Sequence, residues 1–432
     1  MKRANNFFKI ALLTGALALA NYSCEKSEDD PVQENPTGYV FPSFKNPTET
    51  LIKGNLESPA GLSYSPVAVK SGEIKGLTEV NAGLFGLFAE GPIYRNLYSL
   101  GGLQAIKNPK ISQLLGNLTD ATATSSVVLT EFDLTKYSAD FDALYYRSKE
   151  DSLFKPNGLT LDNLILDDGT ILSSSNSSNK IFKKSLIGGI EVYLEDAQLE
   201  RITDMIQARD RKIYAAQAPL IDKTTHAVIS PKKIISINNK TIKKEFELPY
   251  DINSLKLVNV AAHPTFWEEA PFLEKIRIVE NSEAGKKNFG YDFYVSDLLK
   301  DAIYGITKNT VKVIAENLRY PSSIAVDSAG TVFYTSSPLD LDLTGQIDYP
   351  AALNALNPAT KESKKICEFG GNNVSDYFDT EKSFGVRYPN IGVCSLPVAF
   401  NVTNILFETK DNLYFLISNS HQGTLKLITL DK

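Results

Sequence analysis

A short β unit that occurs twice constrains the fold of this chain more than any other sequence feature. The first copy runs through residues 156–162 as a turn and an alternating strand, turns again at 167–169, and ends in a second strand at 171–175. The second copy covers residues 320–337 in the same order. Asp-Gly and similar pairs between alternating runs are strong hairpin signals, because glycine accepts the positive φ of tight turns. The sequence therefore predicts repeated antiparallel hairpins.

Further strand-rich units begin near residues 90, 203, 257 and 404. Unit starts roughly 40 to 80 residues apart, with up to four strands each, are typical of a propeller with insertions in its loops. We predict an all-β fold, a six-bladed β-propeller with four-stranded antiparallel blades. Seven blades is the alternative if residues 39–80 form a blade; otherwise residues 62–79 supply the strand that closes the ring. Short helices are expected within loops at 109–115 and 350–356, each started by a proline.

The N-terminus has the pattern of a secretory signal peptide, with Lys2, Arg3 and Lys9 before an apolar run at 10–20. One cleavage site fits after Ala20. The second fits before Cys24, because Ser23-Cys24 and the acidic residues that follow resemble the lipidation and surface-export signals of bacterial lipoproteins. The second interpretation gives a signal peptide at 1–23, a flexible acidic tether at 24–38 and a β-propeller domain at 39–432, with the lipid on Cys24. It implies an outer-membrane lipoprotein, exposed at the cell surface or facing the periplasm.

Charge and composition exclude several classes of function. The formal net charge is −6, and an acidic body repels nucleic-acid backbones, so we expect no nucleic-acid partner. The chain has three His and three Cys and none of the short motifs of zinc, thiol or serine hydrolases. We expect a monomer that meets the membrane through its lipid anchor alone.

Two cysteines remain once Cys24 is lipidated. Cys367 and Cys394 would pair across a long loop in an oxidising compartment, and the alternative is two buried free thiols.

Polar residues lie near the predicted starts of the inner strands, which would ring one mouth of a propeller channel. Oxygen-bearing side chains that converge there could bind a small-molecule or protein ligand, Ca²⁺ or another divalent cation. The alternative is that these residues only form turns. The candidates are Glu90, Asn157, Asp204, Asn259, Ser322 and Asn404.

Three fragments resemble motifs of the SMP-30/gluconolactonase family: residues 89–92, 156–159 and 204–205. The resemblance implies a six-bladed propeller that hydrolyses lactones with a divalent metal. By that resemblance Glu90, Asn157 and Asp204 would bind the metal, and Asp204 would assist the attacking water. The unit at residue 321 is equally similar to NHL-type propellers, which bind without catalysis.

An aromatic loop at residues 263–272 contains Phe266 and Trp267. These rings could stack on a sugar or seat a protein partner, or pack on their own blade. The sequence thus supports two functions. The first is a lipoprotein whose propeller binds a ligand or partner without catalysis, and the alternative is a metal-dependent lactonase that uses Glu90, Asn157 and Asp204.

Overall fold

The computed structural model describes residues 36, 38–53, 59–65, 83–88, 103–105, 161–166, 170–175, 179–184, 190–199, 201–221, 228–249, 276–298, 300–308, 310–336, 349–369, 402–408, 410–419 and 424–432. This part of the chain is almost entirely β-strand and includes one short helix, α1 (Glu283–Phe289). None of its helices has the length and apolar character needed to cross a membrane.

The strands are β1 (Lys45–Lys53), β2 (Pro59–Ser65), β3 (Gly83–Phe88), β4 (Leu103–Ala105), β5 (Leu161–Ile165), β6 (Ile171–Ser175), β7 (Lys180–Lys184), β8 (Ile190–Glu195), β9 (Ile202–Gln207), β10 (Ile213–Gln217), β11 (Leu220–Ile221), β12 (Val228–Ser230), β13 (Lys233–Asn238), β14 (Thr241–Glu247), β15 (Ile276–Glu280), β16 (Phe293–Asp297), β17 (Ala302–Ile306), β18 (Val311–Glu316), β19 (Pro321–Val326), β20 (Val332–Ser336), β21 (Ala352–Leu356), β22 (Ser363–Glu368), β23 (Val402–Glu408), β24 (Asn412–Asn419) and β25 (Thr424–Asp431).

Within the described ranges these strands form six antiparallel sheets and one small hairpin, β11–β12. From inner to outer strand, the sheets are β2-β3-β4, β5-β6-β7-β8, β9-β10-β13-β14, β15-β16-β17-β18, β19-β20-β21-β22 and β23-β24-β25-β1. The inner strands contact one another in the order β2, β5, β9, β15, β19 and β23, and β23 contacts β2 again. A closed ring of radial antiparallel sheets is a β-propeller. The all-β propeller fold is confirmed, while six blades for the whole chain stays a prediction.

The ring is closed by strands from the two ends of the chain. β1 pairs antiparallel with β25, with Thr48 opposite Thr429 and Thr50 opposite Leu427. Lys426 also forms an ion pair with Glu49 at 2.8 Å. Of residues 62–79, which were predicted to close the ring, the described residues 62–65 instead belong to the inner strand β2 of another sheet. The described strands of the predicted extra blade at 39–80, β1 and β2, belong to two different sheets, which contradicts a single blade there.

Local hairpin signals are confirmed at both copies of the repeated unit. β5 pairs with β6 and β19 pairs with β20 in the expected antiparallel register. In the second copy, Asp327 Oδ1 accepts the N–H groups of Ala329 (3.0 Å) and Thr331 (2.8 Å), and Gly330 has a φ of 94°. The carboxylate and the glycine together fix this turn.

Two local predictions need correction, and a third lies outside the described residues. Residues 352–356 form strand β21 and no helix, because hydrogen-bonded neighbours on both sides override an Ala/Leu-rich preference for helix. The inner strand of the fourth described sheet is β15, whereas the predicted first strand of that unit, residues 257–261, lies outside the described residues. The sequence interpretation also missed α1, which Ser282 caps at its start by accepting the N–H of Gly285 and which Gly290 ends at a φ of 76°.

Apolar side chains fill the spaces between neighbouring sheets. One such cluster joins the sheets β15–β18 and β19–β22 and contains Tyr294, Ile314, Leu318, Ile324 and Leu356. Similar clusters lie on either side of it along the ring. The core of this propeller is therefore divided among the sheet interfaces.

Buried ion pairs also cross the interface between the third and fourth described sheets. Lys232 Nζ lies 2.7 Å from Asp297 Oδ2 and 2.9 Å from Asp297 Oδ1, and both side chains are fully buried. Asp297 Oδ1 also accepts the N–H of Lys300 at 3.0 Å. Carboxylate and ammonium compensate each other's loss of water only because they are held together.

Candidate functional site

A groove of about 840 Å³ opens between two neighbouring sheets. One wall is the outer strand β18 and the loop after it, which contribute residues 313–319 without a gap. The opposite wall is one face of strands β20, β21 and β22, together with residues 350 and 361. This volume lies within the range of ligand pockets in proteins.

The sheet wall of the groove becomes polar toward the outside of the propeller. Its inner part is closed by the apolar cluster between the two sheets. Farther out, the side chains that line the groove on β20, β21 and β22 become small or polar: Ser336, Ala352, Asn354, Ser363 and Lys365. Apolar side chains at these positions would extend the core outward, so the choice of residues keeps the groove open.

Hydrogen bonds hold the polar wall in place. The hydroxyl groups of Tyr334 and Ser363 are 2.7 Å apart. Asn354 Nδ2 donates to Ser336 Oγ and to Ala352 O, both at 3.2 Å. Burial raises the pKa of Tyr334, so its hydroxyl group stays protonated at neutral pH. The wall thus presents a fixed set of hydroxyl and amide groups, which suits a polar ligand.

Charged side chains surround the rim of the groove. The cations are Arg319, Lys361 and Lys365, and the anions are Glu316 and Glu368. Lys365 forms an ion pair with Glu368. The guanidinium of Arg319 lies 4.0 Å from the ring centroid of Tyr349, a cation–π contact that holds it at the rim.

The loop that ends this wall has an unusual backbone. Asn317, Arg319 and Tyr320 have φ values of 60°, 60° and 57°, which residues with a Cβ rarely adopt. The buried Asp301 maintains this shape: its Oδ1 accepts the N–H of Tyr320 at 2.6 Å, and its carbonyl accepts the N–H of Leu318 at 3.3 Å. Such strain persists where the surroundings determine the conformation, and it often accompanies binding sites.

Asp204 lies on an inner strand, as predicted, but its carboxylate is engaged by the next sheet. Arg277 Nη1 donates to Asp204 Oδ1 at 2.6 Å, and the N–H of Ile278 donates to Oδ2 at 2.7 Å. These bonds join β9 to β15. In the described part of the chain, no group of three or more His, Cys, Asp or Glu is arranged to hold a metal ion.

Two further predicted channel residues, Ser322 and Asn404, also lie on inner strands. Ser322 lies on the inner strand β19, is buried, and has its Oγ 2.9 Å from Thr335 Oγ1. Asn404 lies on the inner strand β23. The remaining predicted site residues lie outside the described residues, where the predictions stay untested: Cys24, Glu90, Asn157, Asn259, Phe266, Trp267 and Cys394.

Cys367 lies on the outer strand β22 and carries a free thiol in this structure. Burial raises its pKa to about 11, so the thiol is protonated and a poor nucleophile at neutral pH. Its proposed partner Cys394 lies outside the described residues, and the disulfide stays a prediction.

Comparisons with known proteins place no function on the chain. No protein-family model matches the sequence, and no curated protein matches it. Among solved structures, it is similar to a Bacteroides thetaiotaomicron protein of unknown function, with 8% identity, a TM-score of 0.45 and coverage of 89% of this chain and 76% of that one. A virginiamycin B lyase from Staphylococcus aureus has 10% identity, a TM-score of 0.40 and coverage of 90% and 100%. A Xanthomonas campestris gluconolactonase has 10% identity, a TM-score of 0.30 and coverage of 62% and 85%.

The sequence interpretation missed the groove because it looked for ligands at the channel mouth. One signal was available. Alternate positions on β20 (Tyr334, Ser336), β21 (Asn354) and β22 (Ser363, Lys365) are polar in a part of the chain otherwise rich in buried strands. A polar face on a strand that should pack against a neighbouring blade indicates an open interface.

Proposed function

We propose that this chain is a surface or periplasmic lipoprotein whose β-propeller binds a polar ligand or partner without catalysis. The observation that carries the proposal is the groove between β18 and the sheet β19–β22. It combines a pocket-sized volume with a wall of fixed hydroxyl and amide groups and a charged rim. A small number of polar groups in fixed positions orients a bound ligand.

Blocking the groove tests this proposal. Ser363 is exposed and lines the groove, so Ser363→Trp places an indole in the space that a ligand would take. Glu362→Trp is the matched control, because Glu362 is the exposed neighbour outside the groove lining. Binding of a panel of oligosaccharides and synthetic peptides is measured by thermal shift and calorimetry. Compounds that bind the wild-type chain should lose at least tenfold in affinity to Ser363→Trp and keep it with Glu362→Trp; unchanged binding to Ser363→Trp refutes the site.

The lipid anchor requires its own experiment. Mass spectrometry of the mature chain should show a diacylglyceryl-modified N-terminal Cys24, and Cys24→Ser should move the protein from the membrane fraction to the soluble fraction. Protease treatment of intact cells then separates the surface location from the periplasmic one. An unmodified N-terminus at Asn21 would replace the lipoprotein with an ordinary secreted protein.

The alternative function is a metal-dependent lactonase that uses Glu90, Asn157 and Asp204. The observation in its favour is the buried position of Asp204 on an inner strand. Its carboxylate oxygens already accept hydrogen bonds from Arg277 and Ile278, which favours a structural role. Lactone hydrolysis is measured with added CaCl₂ in the wild-type chain and in Asp204→Asn. If the wild-type chain hydrolyses lactones and Asp204→Asn does not, the lactonase hypothesis is supported. If the wild-type chain does not hydrolyse them, the result supports a binding protein.

A further inference from the structure

The groove follows the open edge of β18 and not one of its faces. Residues 313–319 all line it, although successive side chains of a strand point to opposite sides. β18 is the outer strand of its sheet and pairs within that sheet only with β17. The outer edge of an antiparallel strand exposes main-chain donors and acceptors that another strand can pair with.

The register shows which main-chain groups point outward. Thr307 N–H donates to Thr310 O at 2.9 Å, so the hairpin between β17 and β18 begins with a hydrogen-bonded pair. Hydrogen-bonded and non-hydrogen-bonded pairs alternate along an antiparallel ladder. Counting from Thr310, Lys312 opposite Gly305 is the next bonded pair. Val311 and Val313 therefore direct their N–H and C=O groups away from β17.

The partner strand independently supports this assignment. Ile306 lies opposite Val311, and Ile306 O accepts the N–H of Asp292 at 2.6 Å on the far side of β17. Its main-chain groups therefore point away from β18, as the alternation requires. Val313 lines the groove, directs its N–H and C=O away from the β17 ladder, and is 37% exposed as a residue.

The edge of β18 also carries fewer charges than the outer strands of the two neighbouring sheets, β14 and β22. Charged side chains on an edge discourage pairing with a further strand. β18 has two, Lys312 and Glu316, whereas β14 has Lys243, Lys244, Glu245 and Glu247, and β22 has Lys364, Lys365 and Glu368. Charge therefore protects the edge of β18 less against pairing with a further strand than it protects β14 or β22, and a groove lies beside β18.

We infer that the groove binds an extended peptide segment, an inference that rests on the proposed binding function. The peptide adds to the sheet as a fifth strand beside β18 and carries an acidic residue. Main-chain hydrogen bonds to Val313 would set the register, and the polar wall of β20–β22 would select side chains at alternate positions. The rim has three cations and two anions, and Lys365 and Glu368 pair with each other. Lys361 and Arg319 then remain against one anion, Glu316, so the rim keeps an excess positive charge for a carboxylate of the peptide. β18 has six residues, so it can pair with a peptide of about the same length, roughly 20 Å when extended.

A proline substitution tests main-chain pairing directly. Val313→Pro removes the outward N–H without removing a hydrogen bond to β17, and proline is tolerated on edge strands. Val313→Thr keeps that N–H and changes the side chain. Lys244→Pro is the matched control. Asn239 and Lys240 have φ values of 48° and 64°, so β13 and β14 join through a tight turn at the bonded pair Asn238–Thr241, and Lys244 is the third residue after Thr241 as Val313 is after Thr310.

The probes are synthetic peptides selected from a random dodecapeptide phage library on the full-length wild-type chain. Fluorescence polarisation should give Kd values at least tenfold higher for Val313→Pro and within about twofold of wild type for Val313→Thr and Lys244→Pro, since one variant alone loses a main-chain bond at the groove. Selected peptides should be enriched in Asp or Glu, and Lys361→Ala should weaken them severalfold.

Peptides N-methylated at alternate positions provide the same test without a protein variant, which decides the matter if Val313→Pro fails to fold. Methylation on one set of alternate residues should abolish binding, and methylation on the other set should not. Equal binding to folded Val313→Pro, insensitivity to N-methylation, or no peptide with a Kd below about 100 μM overturns the inference. Oligosaccharides that bind and are blocked by Ser363→Trp would at the same time leave the proposed function standing.

Discussion

Removing the carboxylate of Asp297 should cost more stability than removing an exposed one, because its partner is a fully buried ammonium. In Asp297→Ala, Lys232 keeps its burial and loses two contacts of 2.7 and 2.9 Å, and the N–H of Lys300 loses an acceptor. Breaking a buried ion pair from one side typically costs about 3–5 kcal/mol. For a chain of this size that corresponds to a fall in melting temperature of roughly 3–6 °C.

The double variant Lys232→Met/Asp297→Leu separates the burial of a single charge from the value of the pair. Replacing both ions by apolar residues of similar volume is often neutral or stabilising, so the double variant should be more stable than Asp297→Ala by about 2 kcal/mol or more. Glu247→Ala is the control, since its pair with Lys244 is 3.1 Å long and half exposed on both sides and should contribute less than about 1 kcal/mol.

Urea and thermal unfolding, followed by circular dichroism, measure all four chains. The reasoning is refuted if Asp297→Ala loses less than about 1 kcal/mol, or if the double variant is as unstable as the single one. Either result would show that Lys232 reaches water or another acceptor once Asp297 is gone.

Three further predictions concern the turn after β19 and the ring closure. Burial raises the pKa of Asp327 from 3.8 to about 6, so the stability contributed by its protonated form is complete below pH 3.8 and lost as the pH rises through 6. Asp327→Asn should remove that loss and add up to about 3 kcal/mol to the free energy of unfolding at pH 7. Unfolding measured from pH 4 to 8 tests this, and an unchanged dependence of stability on pH contradicts it. Gly330→Ala should cost at least about 2 kcal/mol in urea unfolding, since φ is 94° and an added Cβ would lie 2.3 Å from the Cα of Gly285; a neutral variant would show that this turn shifts easily. Deleting residues 1–53 should expose the edge of β25 and cause concentration-dependent association in light scattering, whereas a stable monomer would show that β1 is dispensable.

Local chemistry made the hairpins predictable. Residues 167–169 and 327–330 each combine acidic residues with a glycine, and these residue types favour tight turns without help from distant parts of the chain. β5 and β6, and likewise β19 and β20, pair as these signals predict.

Pairings between distant segments could not be predicted in the same way. An alternating run at 257–261 looks like an inner strand as much as β15 does, and only contacts with β9 and β19 select β15. The groove has the same origin: Ser336, Asn354 and Lys365 are unremarkable polar residues until strand pairing places them on one wall opposite β18. Sequence periodicity specifies which face a residue occupies, and it does not specify what that face meets.

The pairing of β1 with β25 joins two segments that are far apart in the sequence. A ribosome makes residues 45–53 before residues 424–431, so β1 has no partner while the residues between them are added. A chain that stops before residue 424 lacks the strand that lies between β1 and β24, so both of these strands can pair with other molecules. This sheet therefore forms only after β25 has been made, and a chain shortened before that point is exposed to aggregation.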